Sequence, residues 1–189
     1  YGNVRGVDMV RFSPSRFDVS KNPSFTFVFV GRIVGDKGIN ELVEAFVKLH
    51  EKHQNARLIL VGSYEDELDP LSDTTREQIE SNEAIDACGP KYDDDLLRMY
   101  MNADCFVMPS YREGFPNTVL EAGAMGLPSI VTDINGSREI IENEKNGLIT
   151  VPYIHLRAHE TDSYLVCRLL LEKKKYYANK IPITYPLLI

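Results

Sequence analysis

Residues 105–132 read CFVMPSYREGFPNTVLEAGAMGLPSIVT, and the order of elements in that stretch decides the fold. Cys105–Met108 is apolar at every position and too short for a helix, and residues 128–132 (PSIVT) repeat the pattern. Between them a loop bearing Pro109, Gly114 and Pro116 leads into a helix expected over about 117–125. Strands that run apolar rather than alternating, with a helix between them, belong to a parallel sheet covered on both faces.

The same unit recurs outward in both directions. Upstream, residues 24–30 (SFTFVFV) form a buried strand closed by Gly31. Residues 40–53 follow with Leu42, Phe46 and Leu49 on one helical face. Residues 57–61 (RLILV) give a second strand, and Thr74 with Glu77 suggests a capping box for a helix to about Asn82. Residues 84–88 form a weaker strand, and Asp93, Asp94 and Asp95 head a short helix carrying Leu96, Leu97, Tyr100 and Met101. Downstream come a short helix over 137–142 and a sixth strand, 147–151 (GLITV). The expected fold class is α/β, a doubly wound parallel sheet of Rossmann-like type. Ligands of such sheets sit beyond the carboxyl ends of the strands where strand order reverses. That directs attention to the loops after the first, third and fourth strands.

The loop after the first strand is Gly31-Arg32-Ile33-Val34-Gly35-Asp36-Lys37-Gly38. It matches neither the dinucleotide fingerprint nor the Walker phosphate loop. Arg32 and Lys37 nevertheless place two cations on a glycine-bearing loop, where a fork and a point charge suit phosphate oxygens. A solvated turn whose cations pair with nearby acids is the plainer alternative. In the loop after the fourth strand, Gly114 permits unusual backbone, and Pro116 is preorganised for a first helical turn. Amides from Asn117 onward lie at a helix N-terminus that favours an anion. Glu113 and Glu121 bracket this end with residues 114–120 between them. A carboxylate accepts paired hydroxyls, so a sugar or ribose is its natural guest. Alone, Glu113 would read as an amide cap and Glu121 as a surface helix residue.

Taken together these residues resemble the signature of the family 4 glycosyltransferases, retaining enzymes of the GT-B fold that use nucleotide sugars. The resemblance runs through FVFVGRIVGDKGINELVEAF, REGFPNTVLEAGAMGLPSIVTDINGSREII and NEKNGLITV, and Gly6-Val7-Asp8 with Phe12 looks like the crossover into the C-terminal lobe. It implies a donor-binding lobe. Arg32 and Lys37 would hold the diphosphate, Glu121 the ribose hydroxyls, and Glu113 the transferred hexose. Backbone amides of Gly114, Phe115, Pro116's neighbour Asn117, Thr118 and Val119 would hold sugar and diphosphate. Gly89, Pro90 and Lys91 fall where the family seats the base.

By the same resemblance, the activity would be transfer of a hexosyl or N-acetylhexosaminyl unit, from a UDP sugar, to a glycan or lipid-linked acceptor in bacterial surface polysaccharide synthesis. The acceptor side would lie on a missing N-terminal lobe, leaving the fragment inactive. Rival readings are a nucleotide-sugar epimerase and a catalytically silent nucleotide-binding module.

Composition sets outer limits. With 21 Lys and Arg against 28 Asp and Glu, the chain of 189 residues carries −7, which argues against nucleic acid as a partner. Three scattered cysteines (Cys88, Cys105, Cys167) form no disulfide or zinc pattern, so a reduced, cytoplasmic setting is the expectation. Asp93-Asp94-Asp95 contains the metal motif of a different glycosyltransferase fold, yet at a helix start it reads as N-cap and dipole partner, and no metal or other cofactor is expected. His50, His53, His155 and His159 show no ligand constellation; His50 and His53 suit a helix C-terminus. An opening at Tyr1 without Met suggests a lobe of a longer protein. The expected organisation is a crossover segment over 1–20, a nucleotide-sugar-binding domain over 21–160, and a helix with an atypical tail over 161–189. Lys173, Lys174 and Lys175 before Tyr176 and Tyr177 make peripheral membrane contact a minor expectation.

Overall fold

Phe25–Val30 (β1) is the hub of the sheet, because its four central residues are buried and both of its edges are paired. The computed structural model describes residues 6–16, 23–67 and 69–150. Ala56–Val61 (β2) runs parallel to β1 on one side, with Val28 opposite Ile59. Ile85–Ala87 (β3) lies beyond it. Cys105–Met108 (β4) flanks β1 on the other side, with Val28 opposite Phe106, followed by Ser129–Thr132 (β5) and Gly147–Thr150 (β6). Every pairing is parallel, and the order is β3-β2-β1-β4-β5-β6. The chain reverses direction across the sheet between β1 and β4, which is the switch point of a doubly wound fold.

The continuous apolar reading of the strands has a direct cause. Phe27 and Phe29 enter one core, with Leu58, Leu60 and Val107, under Ile39–Lys52 (α1) and Asp73–Ser81 (α2). Val28 enters the other, with Phe106, Met108 and Val131, under Asp93–Met101 (α3) and Asn117–Ala124 (α4). Alternate residues of one strand therefore feed two cores, and neither face is left for water. A four-residue helix, Ser137–Ile140 (α5), completes the second layer.

Two local expectations change, and a third, His50 at the end of α1, gains detail. The cap of α2 is Ser72, whose hydroxyl accepts from the Thr75 amide at 3.1 Å, and not Thr74. Starting there puts Leu71, Thr75 and Ile79, four apart, on the buried face. Tyr92, not an aspartate, occupies the cap position of α3 and makes no side-chain capping bond. Asp93 and Asp94 instead reach Arg11 at 2.9 Å and Arg16 at 3.2 Å, tying the 6–16 segment to the helix. His50 stacks on Phe46, and its Nδ1 lies 3.2 Å from the Ala56 carbonyl, so the ring straps the end of α1 to the start of β2. The boundaries expected at 20 and 160, the helix and tail over 161–189, Cys167, His155, His159 and the Lys173–Tyr177 cluster lie outside the described residues.

Candidate functional site

Because β1 and β4 are neighbours, the loops that leave them meet above the switch point. Gly38 makes the meeting close. It ends a short turn, Gly35–Lys37, in left-handed backbone at φ 69°, and a Cβ there would lie 2.2 Å from the Pro109 carbonyl oxygen. The Tyr111 amide then donates to the Asp36 carbonyl at 3.0 Å. Lys37 completes the junction, its Nζ donating to Glu113 Oε1 at 2.7 Å. The side chains of this pair are only 14% and 19% exposed.

Arg32 is held differently. Its guanidinium donates to Glu65 Oε2 at 2.8 Å, and the side chain remains 44% exposed. The hydrogen bond it donates to Glu65 is the main influence raising its pKa, so it stays charged at any ordinary pH. For Arg32 the plainer picture, a cation paired with an acid on a solvated turn, describes the contact well. For Lys37 it does not, because that pair is largely shielded from water.

The second loop is fastened from below. Thr132 donates its hydroxyl to the Ser110 carbonyl. Gly136, at φ 82°, leaves room for the Gly114 carbonyl oxygen, which a Cβ would approach to 2.5 Å. Pro116 is buried and sits at the capping position of α4, one residue earlier than a first-turn proline. No side chain caps this helix, so Glu113 is not the amide cap it would be in isolation. The Val119 amide is taken by the Pro116 carbonyl at 3.1 Å, and its side chain is core. Only the amides ahead of Val119 are therefore candidates for an anion.

Glu121 is not a surface residue. It is partly buried one turn into α4, and Oε2 accepts a hydrogen bond from the Tyr100 hydroxyl at 3.0 Å. Burial raises its pKa, while the Tyr100 bond and the charge of Arg11 pull it back down. The loop after β3 joins through main chain, the Gly89 carbonyl accepting from the Gly62 amide at 3.1 Å. Pro90 is exposed and Lys91 intermediate, and the neighbouring Tyr92 is 72% exposed.

The fold thus brings Arg32, Lys37, Glu113 and residues 114–118 to one rim. Glu121 lies behind it, and the residues 89–91 lie two strands away. Glu65, Tyr100, Arg11 and Gly136 were missed as site residues. Glu65 lies in an acid-rich loop that no motif singles out. Tyr100 reads as one more apolar residue of a helix face, although a buried phenol usually finds a hydrogen-bond partner. Among the described residues no three metal-ligating side chains gather, and no helix is long and apolar enough to cross a membrane.

Comparison with known proteins agrees with this architecture. The profile of the glycosyl transferases group 1 matches residues 13–181. The capsular polysaccharide biosynthesis glycosyltransferase CapM of Staphylococcus aureus is 30% identical over 155 residues, covering 79% of this chain and 40% of that protein. The N,N'-diacetylbacillosaminyl-diphospho-undecaprenol alpha-1,3-N-acetylgalactosaminyltransferase of Campylobacter jejuni is 31% identical over 153 residues, covering 76% and 38%. The chain therefore spans well under half the length of these relatives. Among solved structures, the C-terminal domain of the group 1 family protein LpcC from Francisella tularensis superposes with a TM-score of 0.69 at 22% identity, covering 90% of this chain and 88% of that one. Anabaena HepE, solved in complex with UDP, gives 0.70 at 18%, covering 92% and 48%. These likenesses are of fold: one lobe of the GT-B architecture.

Proposed function

The chain belongs to the glycosyl transferases group 1 family, and on that premise we propose that it is the donor-binding lobe of a retaining glycosyltransferase. Its donor is a nucleoside diphospho-sugar, with uridine as the base. The transferred unit is a hexosyl or N-acetylhexosaminyl group, and the acceptor is a glycan or lipid-linked sugar held mainly by a second lobe. The names of the relatives, which concern capsule synthesis and a diphospho-undecaprenol acceptor, support surface polysaccharide synthesis, and the setting we propose is the cytoplasmic face of a membrane.

The observation that carries the reading is the shielded Lys37–Glu113 contact, which joins the two loops at the switch point. An ammonium has three donors, and Glu113 uses one of them here. The others remain for diphosphate oxygens. Arg32 likewise spends one of its five N–H groups on Glu65. Two cations and the first amides of α4 then face the charge that develops on a departing diphosphate, where aimed donors act most strongly. On this reading Glu113 takes hydroxyls of the hexose and Glu121 those of the ribose. The cations and the helix amides meet the diphosphate through their remaining donors, and the reading calls for no metal.

The test is a thermal-shift panel of the 189-residue chain with uridine, guanosine and adenosine diphosphates. A ligand that binds only the folded chain raises the midpoint by mass action. We expect uridine diphosphate to raise it at millimolar concentration, with no sugar transfer by the lobe alone. A flat response to all three would sink the donor-lobe reading. Robust transfer by the isolated chain would show that the second lobe is dispensable.

A further inference from the structure

Tyr100 is the largest side chain that the core encloses completely, and its hydroxyl is the part that packing does not explain. Its ring meets Phe12 edge-on at 6.4 Å and Phe106 at 6.1 Å. Phenylalanine would make both contacts. A buried hydroxyl costs free energy unless it is bonded, and this one donates to Glu121 Oε2 at 3.0 Å across from α3 to α4. The acceptor is itself an acid drawn partly out of water.

We propose that Tyr100 is a positioning residue of the nucleotide site, its core-clamped hydroxyl holding Glu121 Oε2 so that Oε1 is presented to the ribose diol. The proposal rests on the assignment of Glu121 to the ribose made above. It adds why that carboxylate is preorganised. A glutamate has three side-chain torsions to fix, whereas a tyrosine ring wedged between Phe12 and Phe106 has almost none left. The ring therefore sets the position of the oxygen it touches. Phe12 belongs to the 6–16 segment, so the segment entering the lobe also bears on this acid. The groups that bear on Glu121 electrostatically are the Tyr100 hydroxyl from α3 and the Arg11 guanidinium from residues 6–16. Arg11 is itself bonded to Asp93. The phenol stays protonated, since burial and the carboxylate both raise its pKa well above the usual tyrosine value. It can only donate.

The experiment is calorimetric titration of uridine, guanosine and adenosine diphosphates, and of their 2′,3′-dideoxy counterparts, into the wild-type chain, Tyr100→Phe and Glu121→Gln across the acid pH range. Tyr100→Phe should weaken the ribose-bearing ligand roughly 3- to 10-fold, the worth of one ordinary hydrogen bond. It should leave the dideoxy ligand unchanged. It should also move the acid limb of the binding profile to higher pH, because a donor that favours the carboxylate form is gone. Phe12→Leu, which loosens the ring clamp and spares the hydroxyl, should show the same discrimination at smaller size. Equal weakening of both ligands with an unmoved pH limb would reduce Tyr100 to a packing residue. Discrimination by Glu121→Gln without any by Tyr100→Phe would likewise overturn the positioning role. If Glu121→Gln weakens the ribose-bearing and dideoxy ligands equally or weakens neither, or no diphosphate binds, the ribose assignment falls first and the positioning role with it.

Discussion

Glu113 and Glu121 bracket the N-terminal end of the same helix, and the protein holds them by opposite means. Glu113 is tied to Lys37, a residue of another loop, by an ion pair whose partners keep some contact with water. Glu121 is tied to Tyr100, a residue of the core, by a hydrogen bond from a group with no exposure at all. The first contact is between two surface loops and depends on how they are clasped together. The second is between two packed helices and depends on the core. One carboxylate therefore stands where a changing partner can reach it. The other stands where its position is fixed before anything binds, and the cost is a desolvated charge. A site that must hold a constant part and react at a variable part needs both.

Breaking the loop clasp should have the largest effect. Gly38→Val places a branched side chain in left-handed backbone against the Pro109 carbonyl. We expect a stability loss of about 2–4 kcal/mol in urea unfolding, together with loss of diphosphate binding. The Tyr100–Glu121 bond should survive in whatever folded fraction remains. Wild-type stability in this variant would show that the loops are not clasped at Gly38.

Arg32→Ala tests the loop side without disturbing its backbone. A charge-assisted hydrogen bond contributes about 1.5–3 kcal/mol, so affinity for the nucleoside diphosphate should fall roughly 10- to 150-fold. Unchanged affinity by calorimetry would remove Arg32 from the site and leave it as the partner of Glu65. Next in size is the ion pair itself. Lys37→Met and Glu113→Gln, singly and together, form a double-mutant cycle on thermal stability. We expect a coupling of about 0.5–3 kcal/mol that persists in high salt, because the pair is shielded. A coupling that vanishes with salt would make it an ordinary surface pair.

The two glutamates also differ in how far the sequence reveals them. The sheet was legible from apolar runs such as CFVM and RLILV, since strands buried on both faces need no alternation. That β1 and β4 are neighbours does not follow from a doubly wound topology alone, which also allows β1 beside β3, so the meeting of the first and fourth loops rests on the strand order itself. Glu113 and Lys37 could be nominated because both lie on loops where charge is conspicuous. Their mutual contact could not, because it depends on Gly38 letting α1 approach Pro109. Glu121 was legible as an acid at a given spacing, while its partner was hidden inside a helix face that reads as plain core. The Thr74–Glu77 spacing alone misplaces the cap of α2, because Ser72, two residues earlier, starts the helix and its start puts Thr75 and Ile79 on the buried face.

The smallest expected effect lies on the Glu121 side and tests the cost of fixing a charge in advance. Burial raises the pKa of Glu121 above the usual glutamate range, against the pull of Tyr100 and Arg11. A carboxyl whose folded pKa is raised contributes stability below its unfolded pKa, and that contribution is lost as pH rises through the folded value. At neutral pH the ionised Glu121 should therefore weigh against folding. Glu121→Gln keeps an acceptor for the Tyr100 hydroxyl and carries no charge. It should melt at a higher temperature than wild type at pH 7, and the gap should close as the pH falls below the ordinary glutamate range. The same variant loses discrimination for the ribose, so stability and binding move in opposite directions, as they do where a site holds a strained group for function. If Glu121→Gln instead melts lower at neutral pH, the bond from Tyr100 and the charge of Arg11 outweigh desolvation. Glu121 would then be a stabilising partner of the core, and the contrast with Glu113 would rest on geometry alone.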